Sequence, residues 1–155
     1  MSAPSIESTL LPAIQNEILE LDELWSFVHK AQNKRWLWIA LCRRTRQIVA
    51  FHLGDRSEKS CRKLWQLVPD SYQHSTTYSD FWATYKKVIQ TGKHYSVGKE
   101  TGQTAHVERW NNTLRQRLAR YVRKTLSFSK TDENHFWFTH YFIVNYNLVI
   151  QNLAV

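Results

Sequence analysis

Three acidic residues lie far apart in the chain, at positions from which their side chains can share one site. Asp22 lies in the middle of a stretch typical of a β-strand, where burial and β propensity both disfavour a carboxylate. Asp80 follows a predicted strand at the start of a helix, and Glu108 lies in the first turn of a longer helix. Each also has a structural interpretation: a strand with one solvated face, a helix N-cap, and an acid that complements a helix dipole.

Taken together, these acids favour binding of a divalent cation. Magnesium prefers hard oxygen ligands and keeps several waters, so a few carboxylates and the phosphate oxygens of a substrate suffice to hold it. Two such ions can activate an attacking oxygen and stabilise a leaving oxygen during in-line displacement at phosphorus. Such a mechanism needs no nucleophilic side chain, because water or a DNA 3′-hydroxyl attacks. This fits a sequence in which we identify no Cys–His or Ser–His–Asp arrangement.

The predicted helix 105–124 carries polar and basic side chains that favour an anionic partner. A polar stripe at i, i+3, i+4 and i+7 comprises Glu108, Asn111, Asn112 and Arg115. Basic residues along the same helix are Arg109, Arg115, Arg117, Arg120, Arg123 and Lys124. Positive side chains on one side of a helix repel each other unless an anion lies between them, and arginine binds phosphate in bidentate geometry. Contact with the DNA backbone is therefore expected, although a solvated polar stripe and an idle basic surface are the alternatives.

Composition supports a single folded domain with a basic surface. The chain has 155 residues, 43% of them hydrophobic, and a formal net charge of +8, which favours polyanions. Its two cysteines, Cys42 and Cys61, are too few for a zinc site and are interpreted as buried thiols in a reducing cytosol. We expect no signal peptide, and the apolar stretch 136–148 is too short and too polar to span a membrane.

The periodicity of the apolar residues predicts an α/β fold. The predicted strands span residues 18–28, 36–42, 48–53, 71–78 and 94–97. The predicted helices begin near Ser57, after an N-cap at Ser79 or Asp80, at Ala105 and near Asp132. Three antiparallel strands followed by alternating helices and strands is the order of an RNase H-like mixed sheet, here with a helical C-terminal tail. We assign residues 1–17 to an N-terminal tail and 18–152 to the domain.

Four segments resemble the catalytic region of the insertion-sequence-one family of bacterial transposases. They are residues 20–28 (ELDELWSFV), 79–82 (SDFW), 106–117 (HVERWNNTLRQR) and 122–130 (VRKTLSFSK). The resemblance covers roughly residues 18 to 131, and its last two motifs are long and specific. Family members carry an upstream zinc-binding and helix-turn-helix region, whereas about 17 residues precede the first predicted strand here. The chain therefore looks like a second reading frame or a truncated copy.

The resemblance implies a DDE-type enzyme that uses Mg²⁺ or Mn²⁺, expected as two ions, to cut element ends and join their 3′-ends to target DNA. Asp22, Asp80 and Glu108 would then be the metal-binding triad. The expected DNA-contacting residues are His106, Arg109, Asn112, Arg115, Arg117, Arg120, Arg123 and Lys124. Double-stranded DNA is the expected partner, with no membrane association. A homodimer assembled on DNA follows from the pairing of ends, and the expected location is the bacterial cytoplasm, at the nucleoid.

Two other functions are compatible with the sequence. One is a catalytically incompetent DNA-binding remnant or regulator, and the other is an RNase H-like nuclease that hydrolyses DNA without joining ends. Retention of all three acids favours the enzymes over the remnant. The interval between Asp80 and Glu108 leaves room for a helix, a strand and a loop, which any RNase H-like nuclease would share.

Overall fold

A computed structural model describes residues 3–27, 34–80, 82–90, 93–124 and 132–154 of the chain. Side chains are described for these residues except 26–27, 34 and 118–124. Within these ranges, every helix is too short or too polar to cross a bilayer.

The centre of the fold is a five-stranded mixed sheet with the strand order β3-β2-β1-β4-β5. Its strands are β1 (Ile18–Phe27), β2 (Lys34–Cys42), β3 (Ile48–Gly54), β4 (Thr76–Ser79) and β5 (His94–Ser96). The first three strands form an antiparallel meander, and β4 and β5 add to β1 in parallel. Residues 37–42 of β2 are all buried because both faces of the sheet are covered, as their continuous apolar run predicts.

Four α-helices cover the two faces of the sheet. They are α1 (Glu58–Leu67), α2 (Ala83–Val88), α3 (Ala105–Lys124) and α4 (Asp132–Leu153). One buried cluster joins α1 and α2 to the sheet through Leu64, Trp38 and Tyr85. A second cluster on the other face includes Leu114 of α3 and Ile143 of α4. The predicted α/β order, including the helical C-terminal part, is confirmed.

Two predicted boundaries near β4 are wrong. The strand predicted at 71–78 is shorter, because Asp70–Tyr72 forms a 3₁₀ turn that buries Tyr72 before β4 begins at Thr76. Helix α2 begins at Ala83, and its N-cap is Trp82 rather than the predicted Ser79 or Asp80. The Asp80 carboxylate instead accepts a hydrogen bond from the Trp82 amide at 3.0 Å. The predicted turn at residues 29–35 lies mostly outside the described residues.

The segment before β1 lies against the domain. Its Thr9 is fully buried, and the Tyr72 hydroxyl donates to the Leu11 carbonyl at 2.9 Å. The Gln47 side-chain amide donates to the carbonyls of Thr9 at 2.9 Å and Asn147 at 3.0 Å, which joins this segment to α4. The assignment of residues 1–17 to a separate tail stays a prediction.

A buried carboxylate on β1 holds the start of α3. Glu20 is fully buried and accepts from the backbone amides of His106 at 2.9 Å and Val107 at 3.1 Å. Its other oxygen accepts from the Arg43 guanidinium at 3.0 Å and lies 2.7 Å from His106 Nδ1. Amides at a helix N-terminus favour an anion, so Glu20 fixes the first turn of α3, which contains Glu108, to the central strand.

We predict that Glu20→Ala destabilises the protein by about 3–5 kcal/mol, because the change leaves Arg43 and two helix amides without their buried acceptor. Urea unfolding at neutral pH measures this loss. The matched control is Glu58→Ala, which removes an exposed i,i+4 partner of Arg62 at 3.6 Å and should cost under about 0.5 kcal/mol. Equal costs for the two changes would contradict this role of Glu20.

Candidate active site

The first two predicted acids meet where β4 ends beside β1. The parallel register pairs Ile18 with Thr76 and Glu20 with Tyr78. When this register is extended by two residues beyond the pair Glu20 and Tyr78, Asp80 lies opposite Asp22. Because β4 ends at Ser79, the chain turns away there, and the two carboxylates face a space at the carboxyl end of the parallel strands. Open α/β sheets commonly bind ligands at this position.

A third carboxylate, that of Glu23, joins these two. Oxygen atoms of Asp22, Glu23 and Asp80 all lie within 4.8 Å of one another, close enough to hold one cation. Glu23 also has partners of its own, because it accepts hydrogen bonds from the buried Tyr85 hydroxyl and from Arg56 at 3.0 Å. Its pKa is raised, first by burial and then by the Asp80 charge, against the lowering effect of these hydrogen bonds.

Glu108 lines the same space from the opposite element. A cavity of about 340 Å³ is bounded by Asp22, Glu23 and Asp80 and by one side of α3. All four members of the predicted polar stripe line it: Glu108, Asn111, Asn112 and Arg115. Glu108 accepts from the Thr104 hydroxyl at 3.3 Å, and Asn111 donates to the Asp22 carboxylate at 2.7 Å. The three predicted acids therefore converge on one cavity, and the stripe is more than a solvated helix face.

Asp22 is the carboxylate most affected by this arrangement. Burial raises its pKa to about 7, and the charges of Glu23, Asp80 and Glu108 add to that effect. A hydrogen bond from the Glu23 amide at 2.9 Å acts in the opposite direction. A strongly raised carboxylate pKa among other acids is typical of a site built to receive positive charge.

Three cationic side chains also line the cavity: Arg56, Lys99 and Arg115. The Arg56 guanidinium lies over the rings of Trp36 and Trp82, at 4.9 and 5.1 Å from their centroids, while it donates to Glu23. These contacts hold Arg56 in one place. The cavity thus combines ligands suited to a cation with groups suited to phosphate.

The predicted DNA-contacting residues occupy different environments. Asn112 and Arg115 are exposed and line the cavity, and Arg109 is exposed. Arg117 is exposed and lies 5.5 Å from the centre of the Phe142 ring. His106 is half-buried against Glu20. The backbones of Arg120, Arg123 and Lys124 belong to α3, and their side chains lie outside the described residues.

Sequence reasoning missed the parts played by Glu23, Glu20, Arg56 and Lys99. Strand alternation places Glu23 and Asp22 on opposite faces of β1, so the sequence predicts that their carboxylates lie apart. In the structure the two carboxylates approach each other where β4 ends. Glu20 shares the face of Asp22, but its role depends on α3, which lies 86 residues further along the chain. Arg56 lies just before α1 and Lys99 begins a short 3₁₀ turn (Lys99–Thr101), so neither residue carries a periodic signal.

Comparisons with known proteins identify the family. A family model described as IS1 transposase matches residues 17–147. The insertion element iso-IS1n protein InsB of Shigella dysenteriae is 38% identical over 120 residues, covering 76% of this chain and 87% of the relative. The insertion element IS1 protein InsB of Shigella flexneri is 36% identical over 116 residues, covering 75% of this chain and 86% of the relative.

Solved structures share the fold. The HTLV-2 integrase catalytic core domain in complex with magnesium, in its dimeric form, superposes with a TM-score of 0.58 at 14% identity. The superposition covers 90% of this chain and 85% of the other. The trimeric form of the same domain gives a TM-score of 0.54 at 12% identity, over 86% and 82% of the two chains. These similarities confirm the RNase H-like fold.

The raised pKa of Asp22 makes the stability of the cation-free protein depend on pH. The pKa of Asp22 in the folded protein, about 7, lies above its ordinary value of 3.8. Protonated Asp22 therefore contributes its full stabilisation only below pH 3.8. That stability is lost as the pH rises through about 7. We therefore predict that Asp22→Asn is more stable than the wild type near pH 8, by on the order of 2–4 kcal/mol given the partial exposure of Asp22. Near pH 4 the variant and the wild type should have the same free energy of unfolding. Urea unfolding in EDTA measures this free energy at both pH values.

Asp55→Asn provides a control of opposite sign. Hydrogen bonds from Ser57 and Ser60 lower the pKa of Asp55, so its contribution to stability is present above its ordinary pKa and is lost as the pH falls. This variant should be less stable than the wild type near pH 8. A stability difference for Asp22→Asn that stays constant across the pH range would contradict the assignment.

Proposed function

Because this chain belongs to the IS1 transposase family and is a DDE-type transposase catalytic domain, we propose that Asp22, Asp80 and Glu108 are its metal-binding triad. The observation that carries the proposal is that these three acids, far apart in the sequence, line one cavity at the carboxyl end of the parallel strands. Their retention disfavours a catalytically incompetent remnant.

The donor set fits a divalent cation. Its atoms are carboxylate oxygens, and those of Asp22, Glu23 and Asp80 lie close enough to approach one ion, with Glu108 lining the same cavity from α3. Asn111 adds a buried side-chain oxygen that finds no hydrogen-bond donor among the described residues, an acceptor that a water molecule on the cation would satisfy. We propose Mg²⁺ or Mn²⁺, with two ions bound. When bound, the ions would stabilise charge on the attacking and leaving oxygens of the phosphodiester.

The protein's own groups hold this site in shape. Asn111 orients the Asp22 carboxylate from α3, and Glu20 fixes the first turn of the same helix to β1. Glu23 contributes negative charge beside Asp22 while Tyr85 and Arg56 fix its position. We assign Glu23 the part of a supporting carboxylate, since its negative charge is already paired with Arg56 at 3.0 Å.

The cations around the cavity are suited to the DNA strand. Arg115 and Lys99 line the cavity beside the acids, where they would neutralise and orient the phosphate under attack. No protein nucleophile is required, because water serves for cleavage and a 3′-hydroxyl serves for strand transfer. The remaining basic residues of α3, from Arg109 to Lys124, would position the duplex through backbone contacts.

Element ends and target DNA are the proposed substrates. Joining two ends to one target requires two active sites, so we propose that the chain acts as a homodimer assembled on double-stranded DNA. Its location at the bacterial nucleoid and the separation of residues 1–17 from the domain 18–152 stay predictions.

Loss of any triad carboxylate should abolish metal-dependent chemistry. We predict that Asp22→Ala, Asp80→Ala and Glu108→Ala each lower the rate of Mg²⁺-dependent cleavage of element-end duplexes by about 10³-fold or more, since each change weakens charge stabilisation worth several kcal/mol. Binding of Mn²⁺, followed by calorimetry, should weaken in parallel. DNA affinity should remain within about threefold of the wild type, because the basic helix is unchanged.

Asp70→Ala is the control, because Asp70 is an exposed acid in the 3₁₀ turn outside the cavity. It should leave cleavage and Mn²⁺ binding unchanged. The Mn²⁺ measurement tests the ligands even if cleavage by the wild type is slow. If all three triad variants bound Mn²⁺ with wild-type affinity, the proposed ligands would be ruled out. Joining of labelled 3′-ends to a target plasmid separates a transposase from a nuclease that only hydrolyses.

The basic side of α3 should control the salt dependence of DNA binding. We predict that the triple change Arg115→Ala, Arg117→Ala and Arg120→Ala weakens binding to all sequences alike and reduces the slope of log K against log [salt] by about 2–3. Fluorescence anisotropy between about 50 and 300 mM salt measures the slope. The triple change Lys59→Ala, Arg62→Ala and Lys63→Ala removes equal charge from the exposed side of α1 and should leave the slope nearly unchanged. Equal slopes for the α3 variant and the wild type would refute the contact.

A further inference from the structure

Two tyrosines at the edge of the sheet form a stack that the metal site does not use. Tyr78 of β4 pairs with Tyr95 of β5, the last strand of the sheet. Their rings stack with centroids 5.4 Å apart and planes 25° apart. The Arg43 guanidinium lies 4.9 Å from the centre of the Tyr78 ring. We call these three side chains the tyrosine stack.

The tyrosine stack is held in place from the centre of the sheet. Arg43 donates to the buried carboxylate of Glu20 on β1 at 3.0 Å and to the Gln103 carbonyl at 2.6 Å. Because β4 lies between β1 and β5, Arg43 reaches the Tyr78 ring from the β1 side and Tyr95 reaches it from the β5 side. Tyr95 therefore rests on a ring that is already fixed, and a ligand that binds it would order few side chains.

The ring of Tyr95 is open to solvent. Tyr78 and Tyr95 lie on the same face of the sheet as Glu20, which is the face that α3 and α4 cover. Helix α3 packs over β1 and β2, and α4 packs over β3, so β4 and β5 lie beside these helices. Tyr95 is 45% exposed, and within the described part of the chain it stacks on Tyr78 alone. One flat face of its ring is thus available to a ligand.

The tyrosine stack adjoins the acidic cavity. Asp80 follows Tyr78 by two residues, which is about 7 Å along a strand. Lys99 follows Tyr95 by four residues, and both Asp80 and Lys99 line the cavity. A DNA strand with one phosphate in the cavity would therefore carry its neighbouring nucleotides towards Tyr95.

The charges around Tyr95 favour a nucleic acid over a protein. Lys93 and Lys99 are exposed on either side of it, and residues 93–99 contain no acid. Sites for single-stranded DNA combine cations along the backbone with exposed aromatic rings on which bases stack. Lysine is depleted at protein interfaces, and β5 has only three residues, too short an edge for the addition of a partner strand.

We propose that the open face of Tyr95 stacks an unpaired nucleobase of the DNA strand whose phosphate enters the acidic cavity. A base inside a duplex has both faces covered by its neighbours, so the occupant is a base at a cleaved end or one displaced from the helix. Stacking tolerates any base, because every base has a flat aromatic face. The part of Tyr95 in the reaction rests on the proposed function, whereas stacking itself requires no metal ion.

Binding of the full chain to two DNA probes in EDTA tests the proposal. The probes are a blunt duplex and the same duplex with a short single-stranded extension on either strand, followed by fluorescence anisotropy. Tyr95→Leu, which keeps bulk but loses the flat ring, should lower the affinity for extended DNA by about tenfold. Affinity for the blunt duplex should stay at the wild-type value, and Tyr95→Phe should bind both probes as the wild type does.

Fluorescence of 2-aminopurine in the extension reports stacking directly. The wild type and Tyr95→Phe should quench it, and Tyr95→Leu should not. Tyr141→Leu is the matched control, because Tyr141 is 48% exposed on α4, outside the cavity, and should leave both readouts unchanged. Thermal unfolding establishes that each variant is folded, since cross-strand aromatic pairs also stabilise sheets. A destabilised Tyr95→Leu is replaced by Tyr95→Val, whose β-branched side chain suits an edge strand.

Equal affinity of the wild type and Tyr95→Leu for extended DNA, or equal quenching by the two, would overturn the proposal. A loss in Tyr95→Phe as large as that in Tyr95→Leu would overturn it too, because the hydroxyl rather than the ring would then make the contact. These measurements are made without metal, and Tyr95→Leu should keep wild-type Mn²⁺ binding. Failure of the stacking site is therefore distinguishable from failure of the proposed metal triad.

Discussion

The repulsion among the carboxylates of one cavity is the constraint around which the rest of the molecule is arranged. Asp22, Glu23, Asp80 and Glu108 share a space of about 340 Å³, and burial with mutual repulsion raises the pKa of Asp22 to about 7. Ionising such a group costs free energy that the folded protein must supply from other contacts. A bound cation would remove the repulsion, so the same arrangement that weakens the cation-free fold would increase affinity for the ion.

Contacts outside the proposed triad hold these acids together. The parallel pairing of β1 with β4 brings Asp80 level with Asp22. Glu20 ties the first turn of α3, and therefore Glu108, to β1 through two backbone amides. Each link joins two elements of regular structure rather than a loop, which limits how far the carboxylates can separate in response to their repulsion.

The sequence predicts most of this arrangement because its signals are local. Apolar periodicity indicates the strands and helices, and a carboxylate in a strand, after a strand and in a first helical turn indicates the triad. The misplaced start of α2 has a local cause too, since Asp80 accepts from the Trp82 amide and delays the helix to Ala83. Glu23 was not predicted, because its approach to Asp22 depends on where the neighbouring strand ends, which periodicity does not reveal.

Helices α3 and α4 pack together on one face of the sheet. Helix α3 carries basic residues and Glu108, whereas α4 contains no Lys or Arg. Trp110 of α3 packs edge-on against Phe142 and Tyr146 of α4, at centroid distances of 5.9 and 6.2 Å. Trp110 lies two residues after Glu108, so these packed rings also help to fix the first turns of α3. Because close-packed interiors allow little displacement, α4 supports the position of Glu108 from outside the cavity.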